Sequence, residues 1–188
     1  MLKALVITIA LFFLAGCATK SPSLQTKTVA KVQNTHKKIK NTKKAVPNMH
    51  KMFQSVAKKD AVLLQKGQNR AHCSVCGMNL VMFYKTSHAA TDMNGTIHQY
   101  CSLHCLADAL RHGAELENPM VVDVKTLKFI PVTEAFYVVG SDVPGTMSRV
   151  SKYAFKNLDD AKAFQKKHGG KIVDFYSAWQ EAKKDFKK

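Results

Sequence analysis

Acidic residues are scarce in this chain of 188 residues, which has 13 Asp and Glu against 29 Lys and Arg and a formal net charge of +16. The shortage is confined to one part of the chain. Between residues 18 and 72, thirteen basic residues accompany Asp60 as the single acidic residue, whereas from Cys73 onward fifteen basic residues accompany twelve acidic ones. The C-terminal part therefore has the charge balance of an ordinary soluble domain, and the excess charge indicates a separate N-terminal segment.

A long hydrophobic run is also missing near the N-terminus, because the apolar stretch at residues 4–15 is too short to span a membrane. Lys3 precedes this stretch, and Gly16 and Cys17 follow it. A charged start, an apolar core and small residues before a cysteine are typical of a bacterial lipoprotein signal; an uncleaved helix with a chance cysteine is the alternative. We predict a signal peptide at residues 1–16, lipidation of Cys17, and anchoring at a membrane facing the periplasm, with the outer membrane favoured.

Large apolar residues are few in residues 17–48, which are rich in Lys, Thr, Gln and Asn. Such a segment cannot offset its ordering entropy by burial, so we predict a disordered basic tether. It is either a solvated spacer or a segment whose lysines lie along anionic headgroups, and nucleic acid is not expected as a partner outside the cytoplasm. In residues 49–67, apolar residues recur at mostly helical spacing, which predicts an amphipathic helix.

Four cysteines remain after Cys17, in two close pairs: Cys73 with Cys76, and Cys101 with Cys105. A CxxC motif followed by a second close pair is a strong sign of metal binding, so we expect the four sulfurs to converge. Thiolates favour Cu(I) or zinc over calcium, magnesium and manganese. At this point copper, zinc and disulfide pairing all remain open.

Neighbouring residues offer further ligands and further interpretations. The thioether of Met78 suits Cu(I) better than zinc, and His72 and His98 are weaker candidates for nitrogen ligands. Four thiolates alone would suggest a structural zinc site for protein interaction. A CxxC motif can also perform thiol–disulfide exchange, but the second cysteine pair and the methionine are not needed for that chemistry. Ser102 is expected to cap a helix and to place Cys105 in its first turn.

The pattern of apolar residues and glycines predicts an α+β fold with two similar ββαβ units. The first unit, residues 73–124, is predicted to contain strands at 80–84, 96–100 and 120–124 and a helix at 102–112. The second unit, residues 125–176, is predicted to contain strands at 128–133, 136–139 and 171–175 and a helix at 157–168. A final helix is predicted within residues 177–188.

Several motifs together resemble the NosL family. They are the Cys73-Ser-Val-Cys-Gly-Met sequence, the Ala-Phe-Tyr-Val sequence at residues 135–138, Met147, and the Gly-Gly pair at residues 169–170. The resemblance covers most of residues 73–175 and implies a fold of two ββαβ units. It also implies a lipid-anchored Cu(I) accessory protein, not an enzyme, that delivers copper to nitrous oxide reductase.

Carried over to this sequence, the resemblance implies copper ligation by Cys73, Cys76, Met78 and Met147. The second pair, Cys101 and Cys105, departs from the usual NosL pattern and resembles the second half of YHS or TRASH heavy-metal modules. We therefore expect Cu(I) binding, with zinc as the alternative ion, and these two cysteines either join the NosL ligands in one mixed site or form a second site.

Overall fold

The computed structural model describes residues 52–187. The predicted signal peptide at 1–16, the lipidated Cys17 and the tether at 17–48 lie outside the described residues, as do residues 49–51 and Lys188. Within the described part, no helix has both the length and the apolar character needed to cross a membrane.

The first sheet consists of four antiparallel strands in the order β2-β1-β3-β4. Along the chain, its elements are β1 (His88–Asp92), β2 (Ile97–Tyr100), α1 (Leu103–Arg111), β3 (Leu116–Val122) and β4 (Phe129–Pro131). The buried residues of α1, including Leu103 and Leu106, share a hydrophobic core with Ala90 of β1 and Val121 of β3. Cys101 and Cys105 belong to this core, so the position of the cysteines is determined by the packing of the first unit.

The second sheet has three antiparallel strands in the order β6-β5-β7. Its elements are β5 (Phe136–Val139), β6 (Lys152–Phe155), α2 (Leu158–His168) and β7 (Lys171–Val173). Phe164 of α2 packs with Val138 and Tyr153 in a second core. The final helix, α3 (Phe175–Lys184), begins where the Asp174 carboxylate accepts a hydrogen bond from the Ser177 N–H, and it packs against the first core.

The α+β class and the ββαβ order of both units are confirmed, but two strand predictions are wrong. Residues 80–83 form a turn, because the Asn79 side chain accepts hydrogen bonds from the Val81 and Met82 N–H groups and closes the backbone on itself, and a 3-10 helix follows at Tyr84–Thr86. Leu80 and Tyr84 are fully buried at the spacing of a helical turn. The first strand is instead β1, whose sequence His-Ala-Ala-Thr-Asp has few of the residues that favour strands.

The strand predicted at residues 128–133 is present only as β4, and it pairs with β3 in the first sheet. Asp123 explains this pairing, because its side chain accepts hydrogen bonds from the Thr126 N–H and hydroxyl and so stabilises a turn directly after β3. A strand that follows such a turn returns beside its predecessor. The second sheet takes β6 as its missing strand, which the sequence analysis did not predict.

The predicted amphipathic helix at 49–67 is wrong in its described part, which contains only a short 3-10 helix at Lys58–Asp60. The backbone and side chains of this segment bond to the rest of the domain instead. The Gln54 side chain donates to the Pro144 carbonyl at 2.6 Å, and the Leu64 N–H donates to the Gln99 side chain at 2.9 Å. Tertiary contacts thus replace the local bonds that a helix would need.

Candidate metal centre

The CxxC motif forms a tight turn that extends from Cys73 to Met78. The Cys73 N–H donates to the Met78 carbonyl at 2.8 Å, and the Gly77 N–H donates to the Cys73 carbonyl at 3.0 Å. Gly77 has φ of +72°, a conformation that a residue with a Cβ atom adopts only at a cost. His72 and Asn79 form an antiparallel bridge on either side of the turn. The two sulfurs of the motif are therefore carried by one short, closed piece of backbone.

The second cysteine pair lies at the junction between β2 and α1. Cys101 directly follows β2, and Cys105 lies in the first turn of α1, where the helix N-terminus favours a thiolate. Ser102 occupies the N-cap position, but its hydroxyl makes no capping hydrogen bond and lies 3.9 Å from the Cys101 sulfur instead. The Ser74 N–H donates to the Gln99 carbonyl at 3.0 Å and so attaches the CxxC turn to the end of β2.

The structure brings all four predicted cysteine sulfurs together, with every Sγ atom within 4.8 Å of the others. The Cys101 sulfur is 3.5 Å from that of Cys76 and 3.6 Å from that of Cys105. A tetrahedral ion with metal–sulfur bonds of about 2.3 Å would separate its sulfurs by about 3.8 Å. The cluster thus has the dimensions of a site for one ion. Three of its free thiols are buried, and Cys76 is half-buried.

The thiols of the cluster differ in acidity because they bond to one another. Hydrogen bonds from Cys101 and Cys105 hold the pKa of Cys73 far below its usual value. Hydrogen bonding to Cys105 and Cys73, together with burial, raises the pKa of Cys101. For Cys105, the bond with Cys101 lowers the pKa, but the bond with Cys73 and burial outweigh it and the pKa is raised. The cluster therefore favours one thiolate, at Cys73, and a bound cation would displace the remaining protons.

The other predicted ligands beside the CxxC turn have different surroundings. The half-buried Met78 packs against the core that contains the cysteines. His72 and His98 line, with Cys73, an open cleft of about 550 Å³. The Nε2 atom of His98 lies 2.9 Å from a carboxylate oxygen of Asp92. This hydrogen bond lowers the pKa of Asp92 and leaves Nδ1 as the nitrogen of His98 that a metal could meet.

Met147 lies in the loop that connects β5 and β6, outside the turn and the helix that carry the four cysteines. Met147 is 43% exposed, so a partner can reach it. Its backbone has φ of +57°, which is uncommon for a residue other than glycine. The adjacent Thr146 hydroxyl bonds to that of Thr86, which in turn bonds to the Cys101 carbonyl. The loop is thus connected to the cluster through the backbone of Cys101.

Two buried polar residues of the site were missed by the sequence analysis. Thr86 contacts the Cys101 carbonyl at 2.7 Å, and Gln99 accepts a hydrogen bond from the Leu64 N–H and donates one to the Val62 carbonyl. Gln99 lies in β2, two residues before Cys101. Nothing in the sequence distinguishes it from a solvent-facing residue of a half-buried strand. Thr86 gave no signal either, because its partners are distant in the chain.

Comparison with protein families gives a match to the NosL family over residues 64–182. This chain belongs to the NosL family. The matched region includes both sheets and all four cysteines of the cluster. The resemblance of the motifs to NosL is therefore confirmed. NosL proteins are copper accessory proteins and not enzymes, so the prediction that the chain is not an enzyme is also confirmed by the family.

Among solved structures, the NosL chain is similar to the copper chaperone NosL from Shewanella denitrificans. The two are 23% identical, with a TM-score of 0.48, and the match covers 60% of this chain and 94% of that one. Comparison with curated proteins gives no match. The resemblance of Cys101 and Cys105 to YHS or TRASH modules stays a prediction.

Proposed function

We propose that this NosL protein binds one Cu(I) ion at its four-cysteine cluster and passes it to an exported cuproprotein by ligand exchange. The observation that carries the proposal is the convergence of four sulfurs within 4.8 Å of one another. Soft thiolates in a largely buried site match the preferences of Cu(I). Membership of the NosL family supports copper as the cargo.

Cys76 supports transfer by exchange, because it is half-buried while the other three thiols are buried. A sulfur or nitrogen ligand of a partner can reach an ion near Cys76 without unfolding the core. Such a ligand would bind before a ligand of the donor leaves, so that the ion is never released to solvent. Met78, at the end of the same turn, would supply a thioether to the ion. Met147 would supply another from the opposite loop.

The client and the location extend this proposal beyond the described residues. We infer that nitrous oxide reductase receives the copper and that Cys17 carries lipid. The protein would face the periplasm, with the outer membrane favoured. The basic tether at 17–48 would then separate the copper domain from the membrane and could contact anionic headgroups. Nucleic acid has no place in this proposal.

An anaerobic competition titration tests the copper site. The reduced, metal-free protein is offered one equivalent of Cu(I) in the presence of a chromophoric Cu(I) chelator. We expect the protein to retain one ion per chain, and we expect Cys73→Ser and Cys101→Ser to lose it to the chelator. Thr133→Ser, a substitution at an exposed position outside the cluster, serves as the control. Loss of all copper from the wild-type protein to a modest chelator would refute the proposal.

Transfer and anchoring need separate measurements. Mixing the copper-loaded protein with copper-free nitrous oxide reductase should restore the activity of the reductase, and a fully retained ion would exclude it as the client. Labelling of cells with a radioactive fatty acid should mark the wild-type protein and not Cys17→Ala. A label that persists in this variant would show that the lipid is elsewhere.

Structural zinc is the second candidate, and the closed geometry of the cluster favours it. Four thiols at nearly tetrahedral spacing are the donor set of many structural zinc sites, which contribute directly to folding. In that case the isolated protein would contain stoichiometric zinc and would unfold on chelation. A CxxC redox function has less support, because Cys101 contacts both Cys76 and Cys105 in a four-sulfur group.

A further inference from the structure

The Met147 loop, which we define as residues 144–151, lies directly over the first turn of α1. The two are separated by a cavity of only about 10 Å³, room for about one water molecule. The cavity is lined by Thr86, Ser102, Leu103, His104, Thr146, Ser148, Val150 and Lys152. The helix turn that carries Cys105 and the loop that carries Met147 are therefore neighbours, and hydrogen bonds hold the loop in place on both sides of Met147.

On one side of Met147, the loop is held through Thr86. The Thr86 hydroxyl is 2.7 Å from the Cys101 carbonyl and 2.9 Å from the Thr146 hydroxyl, and Thr86 is 3% exposed. The single hydroxyl proton of Thr86 has three acceptors within reach, namely the Cys101 carbonyl, the Thr146 hydroxyl and, at 3.0 Å, the Phe83 carbonyl. The buried Thr86 hydroxyl thus lies between the loop and the backbone of a cluster cysteine and contacts both.

On the other side of Met147, the loop is held through Asp185. The Ser148 hydroxyl donates to one oxygen of this carboxylate at 3.1 Å, and the other oxygen is 3.0 Å from Nδ1 of His104. His104 precedes Cys105 in α1. The buried Lys152 ammonium donates to the Ser148 hydroxyl at 2.8 Å and to the Val150 carbonyl at 2.9 Å. Met147 is thus tied on one side to the backbone of Cys101 and on the other to the helix turn that carries Cys105.

The loop between these ties has an unfavourable backbone conformation, which the surrounding contacts must stabilise. Met147 has φ of +57°, and a Cβ atom at Gly145 would lie 2.6 Å from the Ser148 carbonyl oxygen. A left-handed backbone at a residue other than glycine costs free energy and persists only where the surroundings impose it. Here the surroundings are the two ties through Thr86 and Asp185.

We propose that Thr86 and Asp185 are positioning residues that clamp the Met147 loop on both sides of Met147 and fix its thioether relative to the Cys101–Cys105 turn. This inference rests on the proposed Cu(I) function. It assigns a role to two residues that act through the loop and are not themselves ligands of the ion. Loosening either tie leaves all cysteine ligands in place, yet it allows the thioether to move away from the ion.

Hydrogen exchange on the reduced, metal-free protein tests the clamp without copper. Thr86→Val keeps the shape of the side chain but removes the hydroxyl, whereas Thr86→Ser keeps the hydroxyl. We expect the amides of residues 145–150 to exchange roughly three- to tenfold faster in Thr86→Val and at nearly the wild-type rate in Thr86→Ser, since a buried hydrogen bond is lost only in the first. Thr133→Val, which removes an exposed hydroxyl, is the matched control.

The rate at which a chelator removes Cu(I) tests the connection to Met147. Thr86→Val should release the ion roughly tenfold faster than wild type, an effect of the size of one hydrogen bond. In a Met147→Ala background, Thr86→Val should have no further effect, because the ligand that the clamp positions is already absent. Asp185→Asn, which weakens the second tie, should behave in the same way and provides the test if Thr86→Val does not fold.

The outcomes separate this inference from the function on which it rests. Failure of the wild-type protein to hold Cu(I) would overturn the proposed function, and the metal role of the clamp with it. If the wild type holds Cu(I) but Thr86→Val and Asp185→Asn leave the exchange of residues 145–150 unchanged, the clamp alone is wrong. Equal acceleration of copper release in the Met147→Ala background would likewise overturn the clamp alone.

Discussion

The hydroxyl of Tyr137 lies 3.1 Å from Nε2 of His88, and this contact joins β5 of the second sheet to β1 of the first. The other ring nitrogen, Nδ1, is 3.0 Å from the Thr86 carbonyl. Because that carbonyl can only accept, Nδ1 carries the proton and Nε2 accepts from Tyr137. His88 is fully buried, and its neutral form satisfies both contacts.

The stability of the metal-free protein should therefore fall in mild acid. Burial, helped by the nearby Lys152 charge and opposed by the Thr86 carbonyl, lowers the pKa of His88 from 6.5 to about 4. The unfolded chain binds the proton first, so the stabilisation is fully present above pH 6.5 and is lost as the pH falls towards 4. We expect a loss of about 2 kcal/mol in the free energy of unfolding by pH 5, measured by denaturant titration.

His88→Gln is the control for this pH dependence, because glutamine does not titrate. The variant should be less stable at neutral pH but should lose less stability between pH 7.5 and pH 5 than the wild type. The exposed His72→Gln should keep the wild-type slope. Parallel slopes for wild type and His88→Gln would show that another group causes the acid sensitivity.

Gly77→Ala and Gly95→Ala form a matched pair. Both glycines have positive φ, +72° and +77°, and an added Cβ at either would meet no atom within 4 Å. Each substitution should thus cost about 1–2 kcal/mol of unfolding free energy through backbone strain alone. Only Gly77→Ala should also weaken Cu(I) binding, since Gly77 closes the CxxC turn while Gly95 lies in the hairpin between β1 and β2. Equal copper affinities in the two variants would contradict a role of the turn in positioning the sulfurs.

Substitution of Cys101 should have the largest effect on the cluster. Its sulfur contacts both Cys76 and Cys105, so Cys101→Ser removes a ligand and also breaks one sulfur contact between the two pairs and one within its own pair. We expect the Cu(I) affinity to fall by more than the about 10- to 100-fold that loss of an outer-shell partner costs a metal site. The affinity is measured by chelator competition under anaerobic conditions. A fall no greater than that of His72→Ala would argue that the ion binds elsewhere.

The buried side chain of Gln99 should matter for the stability of the domain. Gln99→Leu preserves the approximate volume of this fully buried side chain but leaves the Leu64 N–H without its acceptor. We expect a loss of about 1–3 kcal/mol in the free energy of unfolding, the usual cost of an unpaired buried polar group. The exposed Gln68→Leu should cost little by comparison. A thermally stable Gln99→Leu variant would show that water replaces the amide.

The sequence predicted those parts of the structure that depend on local patterns. The helix predicted at residues 102–112 corresponds to α1, because glycine and helical periodicity act over a few residues. The four cysteines could be expected to converge from their spacing alone. The helix at 49–67 failed because its backbone bonds to distant residues such as Gln99, which local propensity cannot anticipate. The strand at 80–84 failed because its apolar pattern hides the turn that the side chain of Asn79 closes.

The supporting residues of the site could not be predicted for a related reason. Thr86 and Thr146 are sixty positions apart, and Ser148 and Asp185 are thirty-seven positions apart. No periodicity connects such residues, and each is an ordinary polar residue when considered alone. Their roles follow only from the way in which the two sheets and α3 meet.

The unequal distribution of the cysteines between the two ββαβ units has a consequence for how such a protein can change over time. All four thiols come from the CxxC turn and the first unit, while the second unit contributes only the loop above them. Substitutions on the surface of the second unit can therefore accumulate without removing a thiol from the cluster.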